Sequence, residues 1–401
     1  QSINAPADLI YRAFTSATAL REWLCDVSTT NPERGGRIYL AWHRGYFASG
    51  HFTKLIPDEA VSFDWIGKEE PGWTHVDITI SPLEAGERYK VELRHSGVGK
   101  SAEWEKARSE ITKGWKMGLE NLKATLEEGR DLRVLDRPLL GIYPEDLINL
   151  SELDKKALDV PVREGVLVRD VVPNFGAEEA GIQSNDVIVT LEGADVRHIK
   201  SLSTVIADYA PGDQISLEVY RGAEKIHINV DTTAQKVEAL PDTPEELAKK
   251  LEARNSEVLE ALEVYLSDVI DAEASYSPGP EQWSVKEILV HLIHNERELH
   301  SWINDLAASQ ERFYDEWPGD NLFRIRATLT TYPSVDNLLV ELRRSLKETV
   351  ATVAFLDPSF TRRKASYWRL GMELLGTTQH IQEHLGQTKY NIRNARQVFA
   401  D

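Results

Sequence analysis

Three histidines late in the chain, His291, His380 and His384, have the residue type and spacing best suited to chemistry. His380 and His384 stand four apart in HIQEHLGQTKY, so on a helix both imidazoles share one face. His291 lies on a separate amphipathic stretch, SVKEILVHLIHNERELHSW. Three neutral imidazoles with an open position make the donor set of a catalytic rather than a closed structural divalent site, and Zn, Ni, Mn or Fe all suit it. The bland alternative is three unconnected histidines. Gln387, one turn beyond His384, is either a partner that orients a ligand or a polar residue of the helix face. His294, three after His291, either approaches the site or is a surface or bundle-edge histidine.

For the triad to meet, the last third of the chain must be helical. From Pro244 onward the apolar residues recur at helical period, with cap signals and proline breaks near 278–280, 318, 333 and 358. Those breaks leave about four long helices, which suits an antiparallel bundle. Two other textures precede it. Residues 1–130 alternate like strands in GRIYLAW, GHFTKLI, AVSFDWI, THVDITISP and YKVELRHS, then close on the helical EWEKARSEITKGWKMGLENLKATLEEG. Residues 131–236 hold short β-branched runs (VLVRDVV, DVIVTLEG, QISLEVYR, KIHINVDT) broken by turn residues, before the Pro-bounded linker TTAQKVEALPDTP. Residues 237–401 complete the chain, and no repeat links the three segments. The expected class is multidomain α+β: an α/β domain, a small β-rich domain and an all-α four-helix bundle.

Composition bounds the partners. With 401 residues, 41% hydrophobic, the chain can bury several cores, and its net charge of −19 argues against nucleic acid and anionic membrane surfaces. No apolar run approaches the ~20 residues that span a bilayer. No signal peptide is evident, and Gln1 reads as a trimmed start. The single cysteine, Cys25, allows no internal disulfide and fits a reducing, cytoplasmic setting.

Ala5-Pro6, Tyr11, Phe14-Thr15, Leu20, Trp23, Gly35-Gly36, Gly114-Trp115, Leu119 and Leu122 make residues 1–130 resemble the helix-grip (START-like, SRPBCC) fold, in the branch of heat shock protein 90 ATPase activator homologues. The resemblance implies a curved sheet wrapping its last helix around a cavity for an apolar small molecule. Trp42, Trp65, Trp73 and Trp115 are the candidate lining, with plain core packing as the alternative. Cys25, His43, His51, His75 and His95 show no paired spacing, and no nucleophile stands with a base.

Gly165, Val168, Val171, Pro173, Ala180-Gly181-Ile182, Asp186-Val187-Ile188 and Pro211-Gly212-Asp213 make the second segment similar to PDZ domains of the bacterial, protease-associated type. That implies a nest of backbone amides at Leu140, Gly141 and Ile142 for the C-terminal carboxylate of a partner peptide, which adds as a strand. Asn185 stands where such domains carry Gly, and Asn tolerates the positive φ of that turn. A domain that only packs its neighbours is the alternative.

Ser284 and Glu287 have capping-box spacing at the start of the first histidine helix. WSVKEILVHL and HIQEHLGQ together resemble the DinB-like superfamily of four-helix bundles over about 242–398. The resemblance implies that His291, His380 and His384 each ligate a divalent metal. For some members it also implies metal-assisted transfer of a low-molecular-weight thiol to an electrophile. Two functions follow: a metal-dependent transferase or hydrolase carrying peptide and apolar-ligand modules, or a non-enzymatic scaffold that recruits C-terminal peptides and an apolar small molecule. A chaperone co-factor role for the first segment is a weaker third.

Overall fold

Period-two alternation builds the first segment. The computed structural model describes every residue except 44, 84–87, 151, 235–237, 280–281, 313–320 and 401, and the side chains of all the rest but 152–154 and 400. Helices α1 (Ala7–Thr15) and α2 (Ala17–Trp23) accompany β1 (Ser2–Ile3), β2 (Val27–Thr30), β3 (Arg37–Ala41), β4 (Phe47–Ile56), β5 (Ala60–Gly67), β6 (Thr74–Pro82) and β7 (Tyr89–Ser96). The strands form one antiparallel sheet in the order β1-β7-β6-β5-β4-β3-β2. The long α3 (Glu105–Glu128) sets Trp115 and Leu122 against Phe14, Trp23, Phe52 and Phe63 of the sheet and the first helices. Cys25 is fully buried in that core.

Residues 131–238 are a compact unit by themselves. After α4 (Leu132–Leu135) come β8 (Pro138–Leu139), β9 (Ile142–Asp146), α5 (Glu152–Leu158), β10 (Val166–Val171), α6 (Gly176–Glu179), β11 (Val187–Leu191), β12 (Ala194–Asp195), α7 (Ile199–Ile206), β13 (Gln214–Arg221), β14 (Glu224–Asp231) and β15 (Thr233–Ala234). The main sheet runs β14-β13-β11-β10-β9, which leaves β9 at an edge. Asn185 takes φ +75 in the turn before β11, as its short polar side chain permits. Strand β15 pairs β8, Thr233 opposite Leu139, so the two ends of this unit are tied together.

The remainder is helical: α8 (Pro244–Leu266), α9 (Asp271–Ala274), α10 (Val285–Ala307), α11 (Leu322–Thr331), α12 (Val335–Ala354) and α13 (Lys364–Ala400). Ser284 and Glu287 form the capping box that starts α10, and Thr243 with Pro244 starts α8. Pro278 and Pro333 fall between helices and Pro358 opens the short 3-10 helix Pro358–Arg362, whereas Pro280 and Pro318 lie outside the described residues. Helix α12 packs on α8 and α10, and α13 packs on the same two, which closes a four-helix bundle. A polar layer divides its core into two apolar clusters. Asn255 lies between Leu251 and Val258, Glu296 between Ile293 and Leu299, Thr349 between Leu346 and Val353, and Thr377 and Thr378 between Leu375 and Ile381. Thr349 hydrogen-bonds the buried Glu296 carboxyl, and burial holds that carboxyl above its usual range.

The first and last segments, 1–130 and 239–401, form one compact unit. Charge holds the junction. Glu311 accepts from Arg21 at 3.0 Å, from both terminal nitrogens of Arg369 at 3.0 and 2.6 Å, and from the Trp302 indole at 2.8 Å. Glu22 takes Arg12 at 3.2 Å and the Ser366 hydroxyl. The chain leaves this unit at Gly129, whose φ of +74 ends α3 and whose close approach to the Lys364 carbonyl leaves no room for a Cβ. It returns at Leu240, which lies on Gly371 of α13, while the Tyr367 hydroxyl donates to the Pro241 carbonyl at 3.0 Å. Lys364 and Gly371 are seven residues apart on one helix, so exit and return are separated by about 10 Å. Residues 131–238 are thus an insertion into a unit that is continuous without them.

Burial alone would raise the Glu311 carboxyl, but the Arg369 hydrogen bond and charge, the Arg21 charge and the Trp302 N–H outweigh it and hold it at about 2. A carboxyl depressed in the folded state stabilises above its unfolded value and loses that contribution as pH falls through the folded one. Thermal melts between the ordinary 4.5 and about 2 should therefore show a steep acid loss in wild type, worth about 1–3 kcal/mol. Glu311→Gln should flatten that slope at the cost of a lower melting point at neutral pH. Replacing residues 131–238 by about six Gly/Ser residues, enough to span about 10 Å, should leave a folded remainder with cooperative unfolding. An unfolded product would refute the insertion.

Candidate metal centre

Helices α10 and α13 bring the three histidines together. The Nε2 atoms of His291 and His380 are 2.8 Å apart, and one ligand nitrogen from each of His291, His380 and His384 lies within 4.8 Å of the others. Ring centroids are 4.5–5.0 Å apart, with interplanar angles of 67–88°. Two nitrogens at about 2.0–2.1 Å from one tetrahedral ion stand about 3.3 Å apart, so small side-chain rotations bring this donor set onto one ion. All three residues are half-buried, and three protein ligands would leave the fourth position of a tetrahedral ion to an exogenous ligand. The donor set therefore fits a divalent ion.

Neighbouring residues fix the imidazoles. His384 Nδ1 donates to Gln387 Oε1 at 2.9 Å, which leaves its Nε2 for the centre. The Trp283 ring lies on His291, centroids 5.0 Å apart and tilted 44°. Asn391, 2% exposed, donates to the Trp283 carbonyl at 2.7 Å and anchors that ring. Sequence reasoning missed Asn391 in this role. It stands seven residues beyond His384, two helical turns along the same face, and that period was a readable signal.

His294 is not part of the cluster, nor is it at an edge: it is buried and hydrogen-bonds the Thr328 hydroxyl of α11 at 2.9 Å. Three residues along a helix turn the side chain by about 300°, enough here to aim it at α11 rather than α13. His300 turns to α12, 2.8 Å from Thr349 Oγ1.

The other candidate residues lie elsewhere. Gly141, at φ +83, packs so tightly on Phe175 that a Cβ would clash. The carbonyls of Leu140 and Gly141 accept from Ala177 and Val172, while the N–H groups of Leu140 and Gly141 meet no acceptor among the described residues. Ile142 then opens the edge strand β9 beside α7, where Asp146 accepts from the Ile199 N–H. Among the tryptophans, Trp65 and Trp115 pack on each other with centroids 5.7 Å apart. Their N–H groups are spent on Glu70 and His95, and Trp42 donates to the Leu24 carbonyl. Trp73 does not join them; it precedes β6 and is 58% exposed, so its place in a cavity lining is corrected. Burial lowers His95 to about 4, more than the nearby Glu70 charge restores, so it is the neutral partner of Trp115 and Thr74.

Three family models match the chain in order: Activator of Hsp90 ATPase homolog 1-like protein over residues 4–127, PDZ domain over 138–232, and DinB superfamily over 254–388. The chain carries these three domains. The serine protease Do-like HtrB of Bacillus subtilis is 35% identical over 92 residues, which are 22% of this chain and 20% of that protein. The chain thus spans about a fifth of the length of the curated relatives it matches. Among solved structures, the HtrA3 PDZ domain bound to the phage-derived ligand FGRWV is 24% identical, covering 24% of this chain and 87% of that one at TM-score 0.22. The Aha1 dimer of Colwellia psychrerythraea is 22% identical, covering 32% and 94% at TM-score 0.28. No helix among the described residues is long and apolar enough to cross a membrane.

His294→Ala leaves Thr328 without its partner in a buried site, and should cost about 1–3 kcal/mol in denaturant unfolding. Its metal content by elemental analysis should equal that of wild type; a loss of metal would place His294 in the centre after all.

Proposed function

We propose that the DinB domain is a divalent-metal centre that activates a small thiol or a water for attack on an electrophile, a transferase or hydrolase reaction, and that the PDZ domain recruits a partner by its C-terminal peptide. The observation that carries this reading is the convergence of His291, His380 and His384 from two helices. A divalent ion bound there would lower the pKa of a coordinated thiol or water so that the nucleophile is available near neutral pH. The chain's own residues supply the rest. Gln387 holds the His384 tautomer, Trp283 walls one side of His291, and Asn391 anchors that wall. The only cysteine is buried, so the attacking thiol would come from a small molecule.

The peptide reading rests on the unspent amides of Leu140 and Gly141, which suit a terminal carboxylate, and on the edge of β9, which can accept a strand. We assign no ligand to Trp42, Trp65 and Trp115, because their polar groups already have partners within the domain.

Elemental analysis of purified protein should show one divalent ion per chain, lost in His384→Ala and in His380→Ala. Gln387→Leu should keep the site and weaken metal affinity about 10–100-fold. Turnover on a panel of thiols and electrophiles should follow metal occupancy; stoichiometric metal without turnover would leave a binding centre and end the catalytic reading. Peptides with a free C-terminal carboxylate should bind the intact chain, and equal binding of their amidated forms would refute the nest.

A further inference from the structure

We infer that the junction inside the larger unit holds a binding site for a tetrahedral oxyanion of the phosphate type, built by Arg12, Arg363 and Ser309. Arg12 comes from α1 and Arg363 from the residue before α13, and both guanidinium groups converge on one neutral hydroxyl. Arg12 Nη2 lies 3.2 Å from Ser309 Oγ, and Arg363 Nη1 donates to the same oxygen. The Ser309 hydroxyl hydrogen has no acceptor among the described residues, and neither has the buried Nε–H of Arg12. Donors therefore gather here without acceptors to match. A buried donor left unmet costs about 1–3 kcal/mol, and an anion would relieve it.

The charges nearby do not supply that anion. Glu22 neutralises one guanidinium through Arg12 Nη1 at 3.2 Å, and its other oxygen is taken by Ser366. Glu311, two residues past Ser309, is committed to Arg21, Arg369 and Trp302, and Asp8 pairs Arg362. The helix-end carbonyls of Leu306 and Ala307 engage Arg363 but carry only partial charge. Burial first, and then the adjacent Arg12 charge, push the Arg363 guanidinium below its usual value, more than the nearby Glu22 charge restores. Arg12, Arg363 and Ser309 are all half-buried, so a small anion can reach them. A dianion bridging two guanidinium groups from the two domains would strengthen their docking, an effect unlike that of the −19 net charge, which repels anions at long range.

The test is isothermal titration of inorganic phosphate into the full chain, dialysed free of phosphate and held at constant ionic strength with chloride. It is repeated in the His384→Ala background, so that phosphate on a metal ion is not mistaken for this site. The expected result is one saturable phosphate per chain in both backgrounds, with sulfate competing. Arg363→Gln and Arg12→Gln should each weaken it about tenfold or more. Ser309→Ala, which keeps both cations, should weaken it less, and thermal melts of the arginine variants show whether their loss reflects binding rather than unfolding. No saturable binding in wild type, or equal affinity in arginine variants that melt as wild type does, would overturn the site.

Discussion

The seam between α10 and α13 carries both the candidate centre and the junction. At one end His291 faces His380 and His384; at the other Trp302 and Arg369 meet on Glu311. The two ends are eleven residues apart on each helix, about 16 Å, because antiparallel helices advance in step. Any slip of α13 along α10 by one turn would break both at once. The imidazoles would lose their common point, and Glu311 would lose the arginine and indole that hold its charge. Helix propensity does not prevent such a slip. The apolar clusters above and below the polar layer do, together with Asn391 of α13, whose hydrogen bond to the Trp283 carbonyl just before α10 is met in one register only.

The chain illustrates which features are legible in residue order. The i, i+4 histidines, the Ser284–Glu287 capping box, the alternating strands and the glycine-marked turns are local, so period and spacing disclose them. The orientation of His384 by Gln387 is local too. The docking of the first domain on the bundle is different in kind. Arg21 and Glu311 are 290 residues apart, and Ser366 finds Glu22 across 344, distances over which no period runs. Side-chain type also misleads where direction matters. Trp73 and Trp115 look equivalent as aromatics, yet one precedes a strand and faces outward while the other lies on the inner face of α3. His294 and His291 sit three apart, and helix geometry sends them to different neighbours.

The junction shows why charged residues can hold domains together without hydrophobic excess. The Glu311 side chain is only 7% exposed, so its ionised form survives because three donors face it. Such a contact is specific: remove one arginine and the carboxylate is left partly unpaired in a site with little water. Close by, Arg12 and Arg363 have the one carboxylate of Glu22 between them.

The insertion has a consequence in the statistics of chains. Its own ends are clamped by β8 and β15, and the points where the larger unit releases and recovers the chain are about 10 Å apart on α13. While the PDZ domain is folded, the larger unit closes what amounts to a short tether. When it unfolds, the same two points must close a loop of about a hundred residues, which costs about 2 kcal/mol more in closure entropy. Whatever stabilises the inserted domain, a bound peptide included, therefore favours the folded helix-grip and bundle domains as well. That coupling needs no touching surfaces; it is carried by the connectivity of the polymer alone.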